Sequence, residues 1–432
     1  MKKFFKDSNN RLQKIGVVKV AITIVILHIL LAIPVHSNDL ELAKIWGIYA
    51  KEFGFSGYYD FLNFGNYARP EYPPLATILF WFMRIIWQMI FSIFWQINTA
   101  IPLFPSKLIP WLEGDGYIFI LKIPGILANF GVGLVIYRFL KLNFNSRKAL
   151  GGALLYWLNP AAVYVSSLWG QIDGIIILLS FLAIVFILQG KSTFGALFFI
   201  ASIMTKATML VLFPILVFKV LIEKRYFLLL RDLVISVLFA LVVAYPFTRE
   251  NPLSWLLKNY LNKFLTVAAQ LPFIQLRAYN FWTLLTGFNF VPDADLFGGI
   301  SLAFWARSLS LLIFLGLFIL LCRKKEVWGA SCLFIFASFL FLPRIHERYL
   351  LPIFPFLLVF SFYQPKIRPV YYLVSVVSLA NLYAAWQVPY SLVATFLSTD
   401  LVARILSLLL LTSFLFVLIV YKNLPAYAKK KS

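Results

Sequence analysis

Long apolar runs recur through the whole chain and constrain its fold more than any other feature. Runs of membrane-spanning length begin at residue 17, and the last one ends at residue 421. Hydrophobic residues occupy 62% of the 432 positions and charged residues only 13%, which leaves too little polar surface for a water-soluble domain. We therefore predict an all-α, polytopic integral membrane protein, with residues 1–432 forming a single transmembrane domain.

About twelve of these runs are predicted to be transmembrane helices, some of them short. The first run is too long for a signal peptide and lacks a small-residue cleavage pattern. The predicted helices cover residues 17–35, 117–137, 149–168, 172–188, 193–204, 207–221, 233–247, 302–322, 327–342, 349–363, 370–386 and 401–421.

One further run, at residues 75–95, is apolar enough to span but carries Arg84 in its middle. Counting it as a span would invert every later loop and place the basic residues between 138 and 148 outside. We interpret it instead as one or two helices that lie along the outer interface, within a long first external loop.

The charged residues are distributed unequally between the two predicted sides. Cytoplasmic segments carry 24 Lys/Arg and 4 Asp/Glu, whereas external segments and outer helix ends carry 15 and 13. This pattern follows the positive-inside rule and explains the net charge of +22 without a nucleic-acid partner. It predicts cytoplasmic termini and places the main external loops at 36–116 and 248–301.

Two acidic groups follow the first predicted span on the external side. Asp39 and Glu41 come directly after it and fit either a solvated helix cap or a general base for an incoming hydroxyl. Farther on, RPEYPPL (69–75) carries Glu71 and Tyr72 beside paired prolines that fix the backbone. A structural turn explains the prolines but not the carboxylate beside them.

The turn WGQIDG (169–174) supplies Gln171 and Asp173 between two predicted spans. Its two glycines permit a tight turn, which is the purely structural interpretation. A carboxylate at the start of a span is costly when unpaired, and this favours a functional interpretation of Asp173.

Cationic side chains gather at two other places on the predicted external side. PRIHERY (343–349) contains Arg344, His346 and Arg348, and Lys206 interrupts an apolar region between two short spans. An interfacial anchor would explain the first group, but guanidinium groups also bind phosphate. A lysine inside an apolar region must reach water or meet an anion. We favour an external anion site.

Motifs for nucleotides, metals and disulfides are missing from the sequence. It has no P-loop and no Gly-x-Gly-x-x-Gly motif. Asp293-Ala294-Asp295 resembles an acidic metal motif, but a lone Asp-x-Asp in a loop is common. Cys322 and Cys332 lie in or beside apolar runs and predict neither a disulfide nor a zinc site. We expect neither metal nor cofactor.

Taken in order, these motifs resemble those of GT-C membrane glycosyltransferases. An acidic residue opens the first external loop, and EYPPL (71–75), WGQID (169–173) and HER (346–348) follow. LRAYNFW (276–282) is similar to an Ala-Tyr-Asn-x-Trp stretch in such proteins. The likeness extends to dolichyl-phosphate-glucose glucosyltransferases and to bacterial polyprenyl-phosphate-sugar mannosyltransferase-like proteins. Two positions depart from the family: Glu71 replaces Asp, and Arg348 replaces Lys.

The resemblance implies an inverting hexosyltransferase that uses no cofactor beyond its lipid-linked donor. It would move mannose or glucose from a polyprenyl-phosphate carrier to a hydroxyl of a glycan, lipid or protein, on the external face of a bacterial cell membrane. Asp39 would act as the base. The acceptor would be oriented by Glu41, Glu71, Tyr72, Gln171 and Asp173, and the donor phosphate held by Lys206, Arg344, His346 and Arg348.

The main alternative is a lipid-linked-sugar transporter or flippase, which also buries charge inside a helix bundle. A transporter predicts ionisable residues near the bilayer midplane, whereas this chain concentrates them at one face. A non-catalytic scaffold would not need an acidic pair and a cationic cluster on the same side.

Overall fold

A computed structural model describes residues 11–60, 70–223, 226–260 and 271–425. Arg69, at the start of the RPEYPPL motif, lies outside these ranges. The α-helices within them are α1 (Arg11–Ala32), α2 (Asn38–Phe53), α3 (Pro74–Ala100), α4 (Leu108–Glu113), α5 (Asp115–Lys141), α6 (Ser146–Trp157), α7 (Pro160–Val163), α8 (Asp173–Leu188), α9 (Ser192–Thr205), α10 (Phe213–Glu223), α11 (Tyr226–Ala244), α12 (Pro252–Asn259), α13 (Phe281–Thr286), α14 (Leu302–Lys324), α15 (Val327–Phe341), α16 (Ile353–Tyr363), α17 (Arg368–Ala385), α18 (Leu392–Leu397) and α19 (Asp400–Lys422).

In the described part of the chain, strands are confined to four two-residue segments. β1 (Gln275–Leu276) pairs in parallel with β4 (Ile345–His346), and β2 (Leu296–Phe297) pairs antiparallel with β3 (Ile300–Ser301). The described chain is therefore almost entirely helical, as its composition predicts. Cys322 and Cys332 are both free thiols.

Several helices have the length and composition of membrane spans. Within the described ranges five qualify outright: α3, α5, α14, α19 and the helical segment Tyr226–Phe247. Shorter apolar helices cover Val18–Ala32, Asp173–Leu188, Ser192–Thr205, Ala207–Lys219 and Val327–Phe341. These helices make the chain an integral membrane protein, and each predicted span coincides with helical structure.

The predicted span at 149–168 is not one continuous helix. α6 ends at Trp157, and the Asn159 side chain caps the next segment by accepting from the backbone N–H groups of Ala161 and Ala162. Pro160 lacks an amide hydrogen and is accommodated at the first position of α7. A π-helical turn, Tyr164–Trp169, then completes the segment.

α3 has the length and composition of a membrane span, so its interpretation as an interfacial helix stays a prediction. Tyr72, just before α3, has its ring 5.8 Å from the ammonium of Lys206, at the end of α9. Trp87, in the middle of α3, stacks on Tyr117 in the first turn of α5, with ring centroids 4.9 Å apart. Both contacts lie at one end of the bundle, where α5 begins and α9 ends. We call this the site end, and the first half of α3 runs across it.

The centre of the bundle is built from α15 and α16. Nearly every side chain of these two helices is buried, in keeping with their unbroken apolar sequences. The turn between them carries the HER motif. Because both flanking helices are fixed by the core, this turn has a defined position at the site end.

Candidate active site

Asp39 is an exposed carboxylate with one oxygen held by two buried donors. It lies in the first turn of α2, and its Oδ2 accepts hydrogen bonds from Trp169 Nε1 at 2.8 Å and Gln171 Nε2 at 3.0 Å. No described residue donates to Oδ1. One oxygen therefore orients the carboxylate while the other is available to a substrate.

The turn that supplies these donors requires glycine at position 170. Gly170 has φ 81°, and a Cβ there would lie 2.6 Å from a methyl carbon of Leu40. Its backbone N–H and that of Gln171 both donate to the carbonyl of Val165 in the π-helical turn. This wide turn and the left-handed glycine direct Trp169 and Gln171 toward Asp39.

The Trp169 ring is fixed on its other side by Trp386. The two indoles stack with centroids 5.0 Å apart and an interplanar angle of 6°. The Tyr164 hydroxyl donates to the carbonyls of Trp386 and Val388, which fixes the end of α17 against the π-helical turn. The indole that holds Asp39 is therefore pre-positioned by packing.

Asp173 pairs with two of the four predicted phosphate-binding residues. Its Oδ1 lies 2.9 Å from Lys206 Nζ, and its Oδ2 lies 3.9 Å from Arg348 Nε. Asp173 is 1% exposed and Lys206 5%, so each charge requires the other in this position. Burial opposes the charge of Lys206, but Asp173 and the nearby tyrosines raise its pKa above the ordinary value.

Glu347 is the second buried carboxylate of this cluster. Its Oε1 accepts from Arg348 Nη1 at 2.8 Å, and its Oε2 lies 3.6 Å from His346 Nδ1. Burial alone would raise the pKa of Glu347, but the charge of Arg348 and the contact with His346 outweigh it and lower that pKa to about 2. Burial likewise disfavours the charged guanidinium, whereas Glu347 raises the pKa of Arg348.

Aromatic rings enclose the cations. The Lys206 ammonium lies 5.0 Å from the ring centre of Tyr349 and 5.8 Å from that of Tyr72, and the Arg348 guanidinium lies 5.4 Å from that of Trp169. Trp169 thus contacts Asp39 through its N–H and Arg348 through its face. The acidic and cationic parts of the site are joined by this one side chain.

Arg344 does not join the cluster. Its guanidinium forms a two-pronged ion pair with buried Asp293, with distances of 2.6 Å and 3.2 Å. Arg344 also has a φ of 61° and donates its backbone N–H to the carbonyl of Ile274. The Asp-Ala-Asp motif therefore supplies an ion-pair partner to the turn that carries His346.

The LRAYNFW motif has a structural role in the same region. Leu276 of β1 is in register with His346 of β4. Asn280 caps α13, and the indole N–H of Trp282 donates to the carbonyl of Phe341 at 2.9 Å. This motif fixes the loop after residue 271 against the end of α15 and so supports the HER turn.

Two other predicted residues lie close to the site but outside these contacts. Glu41 faces Lys44 and His36, each at 3.5 Å, and His36 Nδ1 donates to Asp115 at 2.8 Å. Glu71 is half-buried beside Tyr72, just before α3. Within the described ranges, no group of three or more His, Cys, Asp or Glu side chains is placed to hold a metal ion.

An apolar groove of about 360 Å³ ends at the cationic cluster. Asp173, Tyr349 and Thr208 line its polar end, and apolar residues of the 3₁₀ turn Ala207–Leu212, α14 and α15 line the rest. Thr208 Oγ1 is buried, and no described residue bonds to it. Such a groove can hold a hydrocarbon chain with a polar group at Thr208, beside the Asp173–Lys206 ion pair.

Sequence reasoning assigned no role to four contributors to this site. Trp169, Glu347 and Tyr349 were part of recognised motifs, but their contacts follow only from the tertiary structure. Thr208 carries an ordinary hydroxyl in an apolar run, and its position after Lys206, in the lining of the groove, identifies it.

An apolar helical bundle with a held carboxylate, a buried cationic cluster and an adjoining hydrocarbon groove has the features of a membrane glycosyltransferase. Residues 161–265 match the family model described as ALG3 protein, a GT-C-like family of dolichyl-phosphate-mannose-dependent mannosyltransferases. No curated protein matches the chain significantly. The match contains Trp169, Gln171, Asp173, Lys206 and Thr208.

This similarity supports an enzyme that transfers mannose from a lipid-linked donor, and it does not favour a transporter. The matched segment covers about a quarter of the chain. Asp39 and the HER turn lie outside it.

Proposed function

We propose that this chain is an inverting mannosyltransferase that moves mannose from a polyprenyl-phosphate carrier to an acceptor hydroxyl. The observation that carries the proposal is the link through Trp169 between Asp39 and Arg348. This link connects Asp39 to the cationic cluster through one side chain, which supports their assignment to a common site. The similarity to the ALG3 family favours mannose over the other hexoses.

The donor phosphate is assigned to the polar end of the groove. There Thr208 supplies a hydroxyl donor, and Asp173, which also lines the groove, is paired with the cations of Lys206 and Arg348. His346, in contact with Glu347, completes this set, and the lipid chain occupies the apolar remainder of the groove. Arg344 is left out of our assignment because Asp293 occupies its guanidinium.

The cluster is charge-balanced before the donor binds, so the proposed phosphate binding rests on its unused hydrogen-bond donors. Asp173 and Glu347 balance Lys206 and Arg348, so no buried cation is unpaired before the donor arrives. Asp173 Oδ2 and Arg348 Nε are both buried without a hydrogen-bond partner in the described chain. The Arg348 Nε–H is thus a donor still unused in the resting site.

The proposed reaction is a single displacement. The acceptor oxygen attacks the anomeric carbon and transfers its proton to Asp39 Oδ1 as the new carbon–oxygen bond forms. The bond from the anomeric carbon to the phosphate oxygen breaks on the opposite face, and the electron pair stays on the phosphate. Lys206 and Arg348 stabilise the charge that develops there. Polyprenyl phosphate leaves without needing a strong general acid.

The site end is assigned to the external face, with both termini cytoplasmic. The charge asymmetry of the sequence supports this orientation, and the position of α3 across the site end is consistent with it. We further propose that the membrane is the bacterial cell membrane and that the acceptor is a glycan, a lipid or a protein.

The test is transfer by the purified protein in liposomes containing polyprenyl-phosphate [³H]mannose and an acceptor extract. We expect a labelled product with inverted anomeric configuration and no product from Asp39→Asn. The glucosyl donor serves as the specificity control. Full turnover by Asp39→Asn would refute the role of Asp39 as the base. Movement of intact donor between leaflets without cleavage would instead establish the flippase alternative.

A further inference from the structure

Lys122, in the second turn of α5, is a buried lysine that the proposed reaction does not use. Its side chain is fully buried. Its Nζ donates to the carbonyls of Ala32 at 3.0 Å and Val35 at 2.5 Å. Burying an ammonium is costly unless its donors are satisfied. The two hydrogen bonds from Lys122 to these carbonyls therefore indicate a functional or structural role for this lysine.

These carbonyls belong to the end of α1 and to the linker that leads into α2. The last carbonyls of a helix lack intrahelical partners, and a cation there also complements the helix dipole. The same linker is tied to α5 a second time, through the His36–Asp115 hydrogen bond. Asp39 follows this linker in the first turn of α2, so the contacts with α5 fix the backbone directly before Asp39.

The methylene groups of Lys122 also contact the turn at Gly170, which carries the two donors to Asp39. A Cβ added at Gly170 would lie 2.5 Å from Lys122 Cγ, so the lysine packs directly against this turn. Gly170 lies between Trp169 and Gln171, the two donors to Asp39. Lys122 therefore contacts both segments that meet at the carboxylate.

We propose that Lys122 is a positioning residue that sets the placement of Asp39 relative to Trp169 and Gln171. The inference rests on the proposed function, because it takes Asp39 as the base. Its ammonium fixes the linker, and its methylene groups fix the spacing to the Gly170 turn. Losing this connection displaces the base, and a displacement of about 1 Å can cost roughly 100-fold in rate.

The test compares Lys122→Met with Lys122→Arg in the liposome assay. For Lys122→Met we expect kcat to fall roughly 10- to 100-fold, with the donor KM changed by no more than about twofold. Lys122→Arg keeps donors for the carbonyls and should recover most of the loss. Hydrogen exchange should accelerate across residues 33–41 in Lys122→Met. Lys141→Met, in the last turn of the same helix, is the matched control and should retain full activity.

An unchanged kcat in folded Lys122→Met overturns the proposal, and so does a loss of thermal stability with normal turnover per folded molecule. If Lys122→Met does not fold, Asp115→Ala carries the test by removing the exposed second tether. It should lower kcat by a few-fold with unchanged donor KM, and no effect overturns the proposal. An active Asp39→Asn would refute the proposed function itself, whereas an inactive Asp39→Asn beside fully active Lys122→Met refutes only this inference.

Discussion

The indole N–H of Trp169 lies 2.8 Å from Asp39 Oδ2, and the face of the same ring lies 5.4 Å from the Arg348 guanidinium. One aromatic side chain thus joins the proposed base to the proposed phosphate-binding cations. Its stacking on Trp386 fixes the ring independently of substrate. These contacts hold the Asp39 carboxylate at a defined position relative to the Arg348 guanidinium, as the proposed reaction requires.

Trp169→Phe removes the hydrogen bond to Asp39 while keeping an aromatic ring against Trp386. We expect kcat to fall roughly 10- to 100-fold, because the carboxylate loses one of its two orienting donors. Steady-state kinetics with the lipid-linked donor would measure this. Trp305→Phe removes an exposed indole elsewhere and should have no effect. Equal rates for Trp169→Phe and the parent protein would contradict the assigned role.

Asp173→Asn leaves the buried Lys206 ammonium without its counter-charge. We expect a loss of roughly 3–5 kcal/mol in stability, the usual cost of breaking a buried ion pair. Adding Lys206→Met should recover part of this loss, since no unpaired cation then remains. Thermal unfolding of the single and double variants gives the coupling, and the exposed Asp295→Asn is the control. Strictly additive effects would show that the two charges do not interact.

Glu347→Gln should destabilise the HER turn in a pH-dependent way. The pKa of Glu347 falls from 4.5 to about 2 in the folded protein, which corresponds to about 3 kcal/mol. A lowered carboxylate pKa stabilises the protein above pH 4.5, and that contribution is lost as the pH falls through about 2. Unfolding temperatures should therefore differ most between Glu347→Gln and the parent protein at pH 7 and converge as the pH falls from 4.5 to about 2. Exposed Glu113→Gln should show no such trend.

Val211→Trp places a large ring in the apolar part of the groove. We expect the KM for a long-chain polyprenyl donor to rise roughly tenfold, while the KM for a short-chain donor changes little. Kinetics with donors of two chain lengths would measure the difference. Val376→Trp, at an exposed position on α17, is the control. An equal rise for both donors would argue against a lipid chain in this groove.

Arg344 and Arg348 are expected to behave differently although both lie in the same motif. Arg344→Met removes the partner of buried Asp293 and should lower thermal stability with little change in donor KM. Arg348→Met removes a proposed phosphate ligand and should raise donor KM about tenfold or more. Donor titrations of the two variants separate the roles. A matching rise in KM for Arg344→Met would return it to the donor site.

The sequence predicted most of the helices because apolar length and loop charge are local properties. The break at Asn159-Pro160 follows from proline chemistry, but a hydropathy pattern that counts apolar residues does not reveal it. The sequence predicted that Lys206 must reach water or meet an anion, and in the structure its ammonium pairs with the carboxylate of Asp173. The sequence offers several possible ion-pair partners for Lys206. Helix packing selects among them, and the spacing of apolar residues along the sequence does not specify that packing.

The sequence by itself determined that this chain is a helical membrane protein, since burial in lipid requires continuous apolar helices; the gathering of its carboxylates on one side stays a prediction. Only the tertiary structure decided that Arg344 pairs with Asp293, whereas Arg348 lies beside Trp169 and Asp173. It also placed Lys122 between the two segments that meet at Asp39. The physical reason is that these contacts join residues far apart in sequence, and their geometry is set by how the helices pack together.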